Sequence, residues 1–333
     1  VTQTYDDLAK EEKTLHKILP GICNIVVIGC GGTGSQLIPD LVRAFKFGNN
    51  TYENTEITLV DGDFVESKNI ERQNFISKDI GRNKAEVLAK RYGQVFGIPV
   101  KFLDKNLTNI YEIKRLIEAA NDMNHGHRRH RDGKLNVLIT CADNHYLRKN
   151  VHRAISSLDQ HILWIDSGNE DTFGQVVCGF QPSHSHIVSR NYGTSQTDPN
   201  FSKREDIINR WFTGQLSNMS MGQYPVPNVC EVFPEILEAT APDENAASCA
   251  EVAEEKPQNI LINRLAATAI MSYVYPCLYA EEVHSDNDAI RQTNTLSHYM
   301  TLFNINGEFT KKIMKLSEFK DIFSKAYEQL SLL

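Results

Sequence analysis

The chain has 333 residues, an apolar fraction of 41%, a charged fraction of 23% and a net charge of −7. That length fits two average domains or one large α/β domain, and the composition supports a buried core rather than wholesale disorder. The acid excess argues against a general nucleic-acid binder, which needs a basic face to displace counterions, and no apolar run is long enough to cross a bilayer.

The polar, acidic opening stretch, residues 1–17, does not read as a secretory signal. A helical extension is expected over residues 1–20. The 7 cysteines are Cys23, Cys30, Cys141, Cys178, Cys230, Cys249 and Cys277, with no Cys-x-x-Cys pair among them. An odd, scattered set predicts a reduced, cytoplasmic chain in which most cysteines are core residues.

Residues 24–29 form a short apolar run bounded by glycines, as a buried parallel strand does. Leu37, Ile38, Leu41, Val42 and Phe45 then recur at helical spacing, with Pro39 early in that helix. After an Asn-rich connection, residues 57–60 predict a second strand ending on Asp61. Helices are expected over 84–96, 110–120 and 146–157, and strands over 98–103, 137–140 and 161–165. This alternation predicts a doubly wound, Rossmann-like α/β domain over 21–180 with a mostly parallel sheet. Its ligands belong beyond the carboxyl ends of the strands. Residues 181–256 read as an irregular crossover segment, with one short helix at 204–212. From 257 to 333 a long helix, a hairpin turning at Asn306-Gly307 and a terminal helix are expected to complete the same domain.

The turn Gly29-Cys30-Gly31-Gly32-Thr33-Gly34-Ser35 lets backbone approach a phosphate or ribose closely, and the following helix points its amides at an anion. Taken alone it fits NAD, FAD, S-adenosylmethionine or ATP. Asp61 is placed to hold a ribose. It arrives later than the roughly 20-residue spacing of a dinucleotide fold, which disfavours a dehydrogenase. The run from Asp61 through Asp63, Asn69, Arg72 and Gln73 to Lys84 then supplies cations. Cleaving ATP between its α and β phosphates needs them, because charge builds on the departing pyrophosphate. A strand ending in Cys141-Ala142-Asp143-Asn144 adds a carboxylate at the same edge.

These ordered motifs resemble the ThiF/MoeB superfamily, to which ubiquitin-activating enzymes belong. The resemblance extends over roughly residues 22–280. Trp164–Asn169, Gly174-Gln175-Val176, Glu231–Leu237 and Ser248-Cys249-Ala250-Glu251 look most like the ThiF-type proteins of PRTRC gene clusters. The resemblance implies that Gly31, Gly32 and Gly34 line the adenosine pocket and that Asp61 holds the ribose. It implies that Asn69, Arg72 and Lys84 grip the phosphates and that Asp143 binds Mg²⁺, with Gly29, Asp63, Gln73 and Asn144 also among the nucleotide-binding residues. The implied substrate is the C-terminal carboxylate of a small ubiquitin-like protein with a glycine-type tail, converted to an acyl-adenylate. Cys249 matches the position of a transfer nucleophile. Its neighbours Glu251, Glu254 and Glu255 would raise its pKa, so an incidental loop cysteine is the other reading, and Cys230 is the rival nucleophile. A homodimer, and an acceptor like a conjugating enzyme, are further expectations.

The chain departs from many relatives in two respects. No Cys-x-x-Cys pairs exist for structural zinc, and the N-terminal segment carries Lys10, Lys13 and Lys17 but no Arg-x-x-Arg-Gln motif. Cys178 with His184 and His186 is a weaker metal candidate than a surface histidine pair. The basic, His-rich stretch 121–134 reads as a solvated loop, with a metal or nucleic-acid patch as the alternative. Competing functions are adenylation of another acid such as a modified tRNA nucleoside, an NAD-dependent oxidoreductase, and an inactive scaffold.

Overall fold

The structure, a computed structural model, describes residues 17–18, 22–48, 55–122, 135–183, 204, 208–210, 224–241, 259–279 and 295–330. Its centre is an eight-stranded sheet. Strands β2 (Ile22–Ile28), β3 (Glu56–Val60), β4 (Val100–Leu103), β5 (Leu135–Thr140) and β6 (His161–Asn169) form a parallel block in the order β4-β3-β2-β5-β6. β7 (Phe173–Gln181) then runs antiparallel to β6, and the hairpin β9 (His298–Asn304) and β10 (Phe309–Ile313) extends the sheet on that side. A separate two-stranded ribbon pairs β1 (Lys17–Ile18) with β8 (Thr295–Leu296). The expected N-terminal helix is therefore not met at residues 17–18, which are extended.

Helix α1 (Gly32–Phe47), α2 (Lys84–Phe96) and α6 (Ile260–Leu278) pack on one face of the sheet. The other face carries α3 (Ile110–Asp122) and α4 (His145–Ser156), joined by the short α5 (Val229–Val232) and the C-terminal α7 (Leu316–Leu330). Strands buried on both faces read as unbroken apolar runs, and every residue of β5 is buried. Trp164, Phe180, Ile25, Leu37, Ile38, Leu41, Phe319 and Phe323 anchor the resulting core.

Local chemistry sets the element boundaries. Asn83 caps α2 by accepting from the Glu86 amide, and Gly97 at φ 65 ends it in the left-handed cap that glycine favours. Asn144 and Asn259 cap α4 and α6 in the same way. Gly307, at φ 79, turns the β9–β10 hairpin where Asn-Gly predicts it.

One expectation is corrected within the crossover segment. The described part, 224–241, is not irregular: it holds α5 and a 3₁₀ turn at Pro234–Glu238. It is pinned by a buried ion pair in which Arg204 Nε and Nη2 bind Glu231 at 2.7 and 2.8 Å, while Nη1 and Nη2 donate to the Phe180 and Val226 carbonyls. The helix expected at 204–212 is seen at Arg204 and at residues 208–210, the rest lying outside the described residues.

Candidate nucleotide-binding site

The glycine turn leaves β2 at the carboxyl edge of the sheet. Gly29 has φ 94, a region closed to most side chains, and its amide donates to the Val60 carbonyl at 2.9 Å. A Cβ on Gly34 would lie 2.0 Å from the Gly29 carbonyl oxygen, so that glycine exists for close packing of helix on strand. A Cβ on Gly32 would lie 2.6 Å from Asn263 Nδ2. Gly31 differs. Its Cβ would meet nothing nearer than Gln73 Nε2 at 3.8 Å, so packing among the described residues does not require a glycine there. The space above Gly31 is a cradle that a ligand can fill. Gln73 Oε1 is buried without a hydrogen-bond partner among the described residues.

Asp61 follows β3, next to the turn. One carboxylate oxygen accepts from the Cys30 amide at 2.6 Å and the other from the Asp63 amide at 2.8 Å. Burial pushes its pKa up, and these two amides pull it back. A carboxylate has about four acceptor positions, so sites remain for ribose hydroxyls. Lys84, at the start of α2, is almost wholly buried and donates to Asp63 Oδ2 at 2.9 Å. Asn83 holds the loop by donating to the Asp61 and Asp63 carbonyls and to Asp104 Oδ1. Arg72 is half-buried and follows a 3₁₀ turn at Ser67–Asn69.

Beyond β5, Cys141 lies against Gly29, and Asp143 stands exposed behind it. Behind Asp143 is a buried guanidinium. Arg148 on α4 donates through Nε to Asp166 Oδ1 at 2.9 Å and through Nη2 to the Ser167 carbonyl at 3.0 Å, and its Nη1 lies 3.7 Å from Asp143 Oδ1. Asp166 also accepts from the Thr140 hydroxyl, which in turn accepts from Trp164 Nε1 at 3.0 Å.

The sequence-derived residues thus gather at one edge, but not all with their side chains free. Asp61 bonds the glycine turn directly, Asp63 bonds Asp61 and Lys84 bonds Asp63, while Gln73 lies nearest to Gly31. Asn69 spends its side-chain oxygen on the Glu66 amide, and Asn144 spends its own on the Leu147 amide. Cys249 lies outside the described residues, as do His184, His186 and most of the basic stretch. Cys230, the rival nucleophile, is corrected: it is fully buried on α5, its thiol donates to the Arg148 carbonyl at 3.5 Å, and burial pushes its pKa well up.

Sequence reasoning missed Arg148 and Asp166 as site residues. Each is a charge set in a buried apolar pattern, Arg148 between Leu147 and Val151 and Asp166 after Ile162–Ile165. That was the available signal. It also missed Asn106, whose Oδ1 accepts from the Gly62 amide at 3.2 Å.

The residues present fit an adenine nucleotide and a hard cation. The open cradle at Gly31 and the part-filled Asp61 carboxylate suit the nucleoside, while Asp143 is an exposed oxygen donor of the kind Mg²⁺ takes alongside phosphates. Among the described residues no helix is long and apolar enough to cross a membrane.

A model of the ThiF family matches residues 12–305. Among solved structures, Escherichia coli MccB with ATP is 15% identical, with 88% of this chain and 64% of that chain covered and a TM-score of 0.42. E. coli MccB with MccA-N7isoASN is likewise 15% identical, covering 88% and 65% at a TM-score of 0.43. E. coli tRNA N6-threonylcarbamoyladenosine dehydratase, TcdA, with ATP is 25% identical, covering 39% and 45% at a TM-score of 0.28. The chain therefore spans less than two thirds of the length of the MccB chains it matches.

Proposed function

The chain belongs to the ThiF family, and from that premise we propose that it activates a carboxylate by transferring AMP to it from ATP. A carboxylate oxygen of the substrate attacks the α-phosphorus. The bond from that phosphorus to the bridging oxygen breaks, pyrophosphate leaves with the bonding electrons, and an acyl-adenylate results. The observation that carries this reading is the junction of Asp61 to the glycine turn through the Cys30 amide and of Lys84 to Asp63. One carboxylate is positioned for the ribose, and a buried lysine is held beside it where phosphates would pass.

Each of the chain's own groups then has a task. The Gly31 cradle admits the nucleoside, Asp61 orients its ribose, and Lys84 and Arg72 stabilise charge on the leaving pyrophosphate. Asp143, steadied by Arg148, with Asn144 beside it, would hold Mg²⁺, which supplies charge neutralisation at the phosphates when bound.

The substrate we propose is the C-terminal tail of a small ubiquitin-like protein. The Cys249 thiolate then attacks the acyl carbon of the adenylate, the bond from that carbon to the AMP oxygen breaks, and a thioester forms as AMP leaves with the bonding electrons. Within the family we place the chain with the ThiF-type proteins of PRTRC gene clusters, on its motifs at 164–169, 231–237 and 248–251. It acts in the cytoplasm as a homodimer, handing its product to an acceptor of the conjugating-enzyme kind. ATP–pyrophosphate exchange with candidate ubiquitin-like partners tests the reaction. Exchange that appears with a partner and disappears in Asp143→Ala supports it, and no exchange with any partner sinks it. A covalent adduct lost in Cys249→Ala, with exchange retained, assigns that cysteine to transfer.

A further inference from the structure

Three polar side chains from distant parts of the chain meet at the amino end of α1. Thr33 belongs to its first turn, Asn169 closes β6, and Asn263 lies in the first turn of α6. Asn169 Nδ2 donates to Thr33 Oγ1 at 2.6 Å and to Asn263 Oδ1 at 3.2 Å, and Thr33 Oγ1 donates to Asn263 Oδ1 at 3.3 Å. Thr33 is 4% exposed and Asn263 0%.

These bonds turn the oxygen of the Asn263 carboxamide toward Thr33 and Asn169. They leave its nitrogen the nearer of its two polar atoms to Gly32, 2.6 Å from where a Cβ would stand against 3.0 Å for the oxygen. That nitrogen is buried and has no hydrogen-bond partner among the described residues. Leaving a buried donor without an acceptor is costly, so its retention calls for an acceptor. It is aimed at the end of a 16-residue helix whose cap position is Gly31, a residue with no side chain to accept from the first amides.

We infer that the Asn263 carboxamide and the amino end of α1 form a subsite for the carboxylate of the acyl substrate, with Thr33 and Asn169 fixing its orientation. The inference rests on the adenylation reading above and deepens it. Position within the sheet separates this subsite from the nucleoside end. Asp61 follows β3 on one side of β2, whereas Asn169 ends β6, beyond β5 on the other side. The cations Arg72 and Lys84 lie in sequence after β3, with the nucleoside end. The Thr33–Asn169–Asn263 group offers only neutral side chains, which suits a singly charged carboxylate better than a polyphosphate.

Two ligands test it on the full chain by calorimetry. The first is 5′-O-sulfamoyladenosine, which has the nucleoside without an acyl group. The second is 5′-O-(N-glycylsulfamoyl)adenosine, which adds the acyl carbonyl that a carboxylate becomes. The unsubstituted protein binds the glycyl compound about three- to tenfold more tightly. Asn263→Ala removes that advantage and leaves affinity for sulfamoyladenosine within about twofold. Asn263→Asp keeps the shape, replaces the donor by an acceptor, and removes or reverses the advantage. An advantage that survives both substitutions overturns the subsite, as does its absence from the unsubstituted protein. Equal loss of affinity for both compounds in the two variants also overturns it, because the cluster then only braces the turn. If the unsubstituted protein binds neither compound, the adenylation reading itself falls and takes the subsite with it.

Discussion

Arg148 and Asp166 form an ion pair at 2.9 Å with side chains 4% and 2% exposed, and the same guanidinium reaches Asp143 at the nucleotide edge. Burial raises the Asp166 pKa, and the Arg148 charge and the Thr140 hydroxyl oppose that rise. The pair therefore couples the interior of the sheet to the one exposed carboxylate we assign to the metal.

Removing one partner of such a pair strands a buried charge. Asp166→Ala is expected to cost about 3–5 kcal/mol of stability in urea denaturation. Arg148→Lys keeps a charge but loses the fork that binds Asp166 and the Ser167 carbonyl together. Its expected signature is a raised Mg²⁺ requirement in the exchange assay with a smaller loss of stability. An unchanged Mg²⁺ titration would show that Arg148 does not steady Asp143.

The glycines divide by cause, and paired substitutions separate them. Gly34→Ala drives a methyl to 2.0 Å from the Gly29 carbonyl oxygen and is expected to destabilise the fold by several kcal/mol, on the order of severe overpacking. Gly31→Ala meets only an ordinary contact at 3.8 Å. It leaves the urea midpoint nearly unchanged while weakening binding of a fluorescent ATP analogue by about tenfold or more, the methyl standing where the ligand must approach. Equal ATP affinity in Gly31→Ala would place the nucleotide elsewhere.

Lys84→Met is expected to slow exchange on the order of a hundredfold, the scale of losing one positioned charge at a reacting phosphate. Stability should change little, because Asp63, its partner, is 61% exposed and such pairs contribute about 0–1 kcal/mol. A large stability loss with normal exchange would reverse the assignment.

His298 offers a pH test away from the site. Burial, with Lys311 adding to it, lowers its pKa to about 4, and its ring lies tilted against Tyr273 with centroids 4.6 Å apart. The unfolded chain takes up this proton near pH 6.5, while the folded one resists until about 4. Its contribution is therefore complete above about pH 7 and is lost progressively as pH falls toward 4, by about 1–3 kcal/mol. His298→Phe flattens that part of the stability profile. A profile parallel to the unsubstituted protein's would show that His298 does not titrate this way.

Much of the architecture was legible because the parallel strands are short apolar runs whose period and punctuation admit one reading. Helix α2 was placed to the residue, since Asn83 and Gly97 mark its ends chemically. Strand β7 is not legible as a strand, because its length includes Gly174, Gly179 and two glutamines, and one of its two partners, β9, is far away in sequence. The short helix at Val229–Val232 was hidden by Pro225, Pro227 and Pro234, although Asn228 and Glu231 form a capping box that betrays it. In the site, the glycines, Asp61 and Lys84 announce themselves by spacing. Asn169 and Asn263 do not, since lone asparagines carry no chemistry until three separate elements converge on them.

The placement of β9 and β10 has a consequence for how the chain reaches its native state. All five parallel strands and their crossovers lie between Ile22 and Asn169, and β7 folds back on β6 at once, whereas β9 reaches its place beside β7 only from His298 onward, Asn304 opposite Phe173. Loop-closure entropy opposes that last pairing until a scaffold exists to receive it. The parallel block is the natural nucleus, and the C-terminal hairpin docks on it late. Substitutions in β2 or β5 should then slow folding, while those in β9 or β10 chiefly quicken unfolding. The wall of the sheet nearest the proposed acyl subsite is thus the part that forms last and opens first.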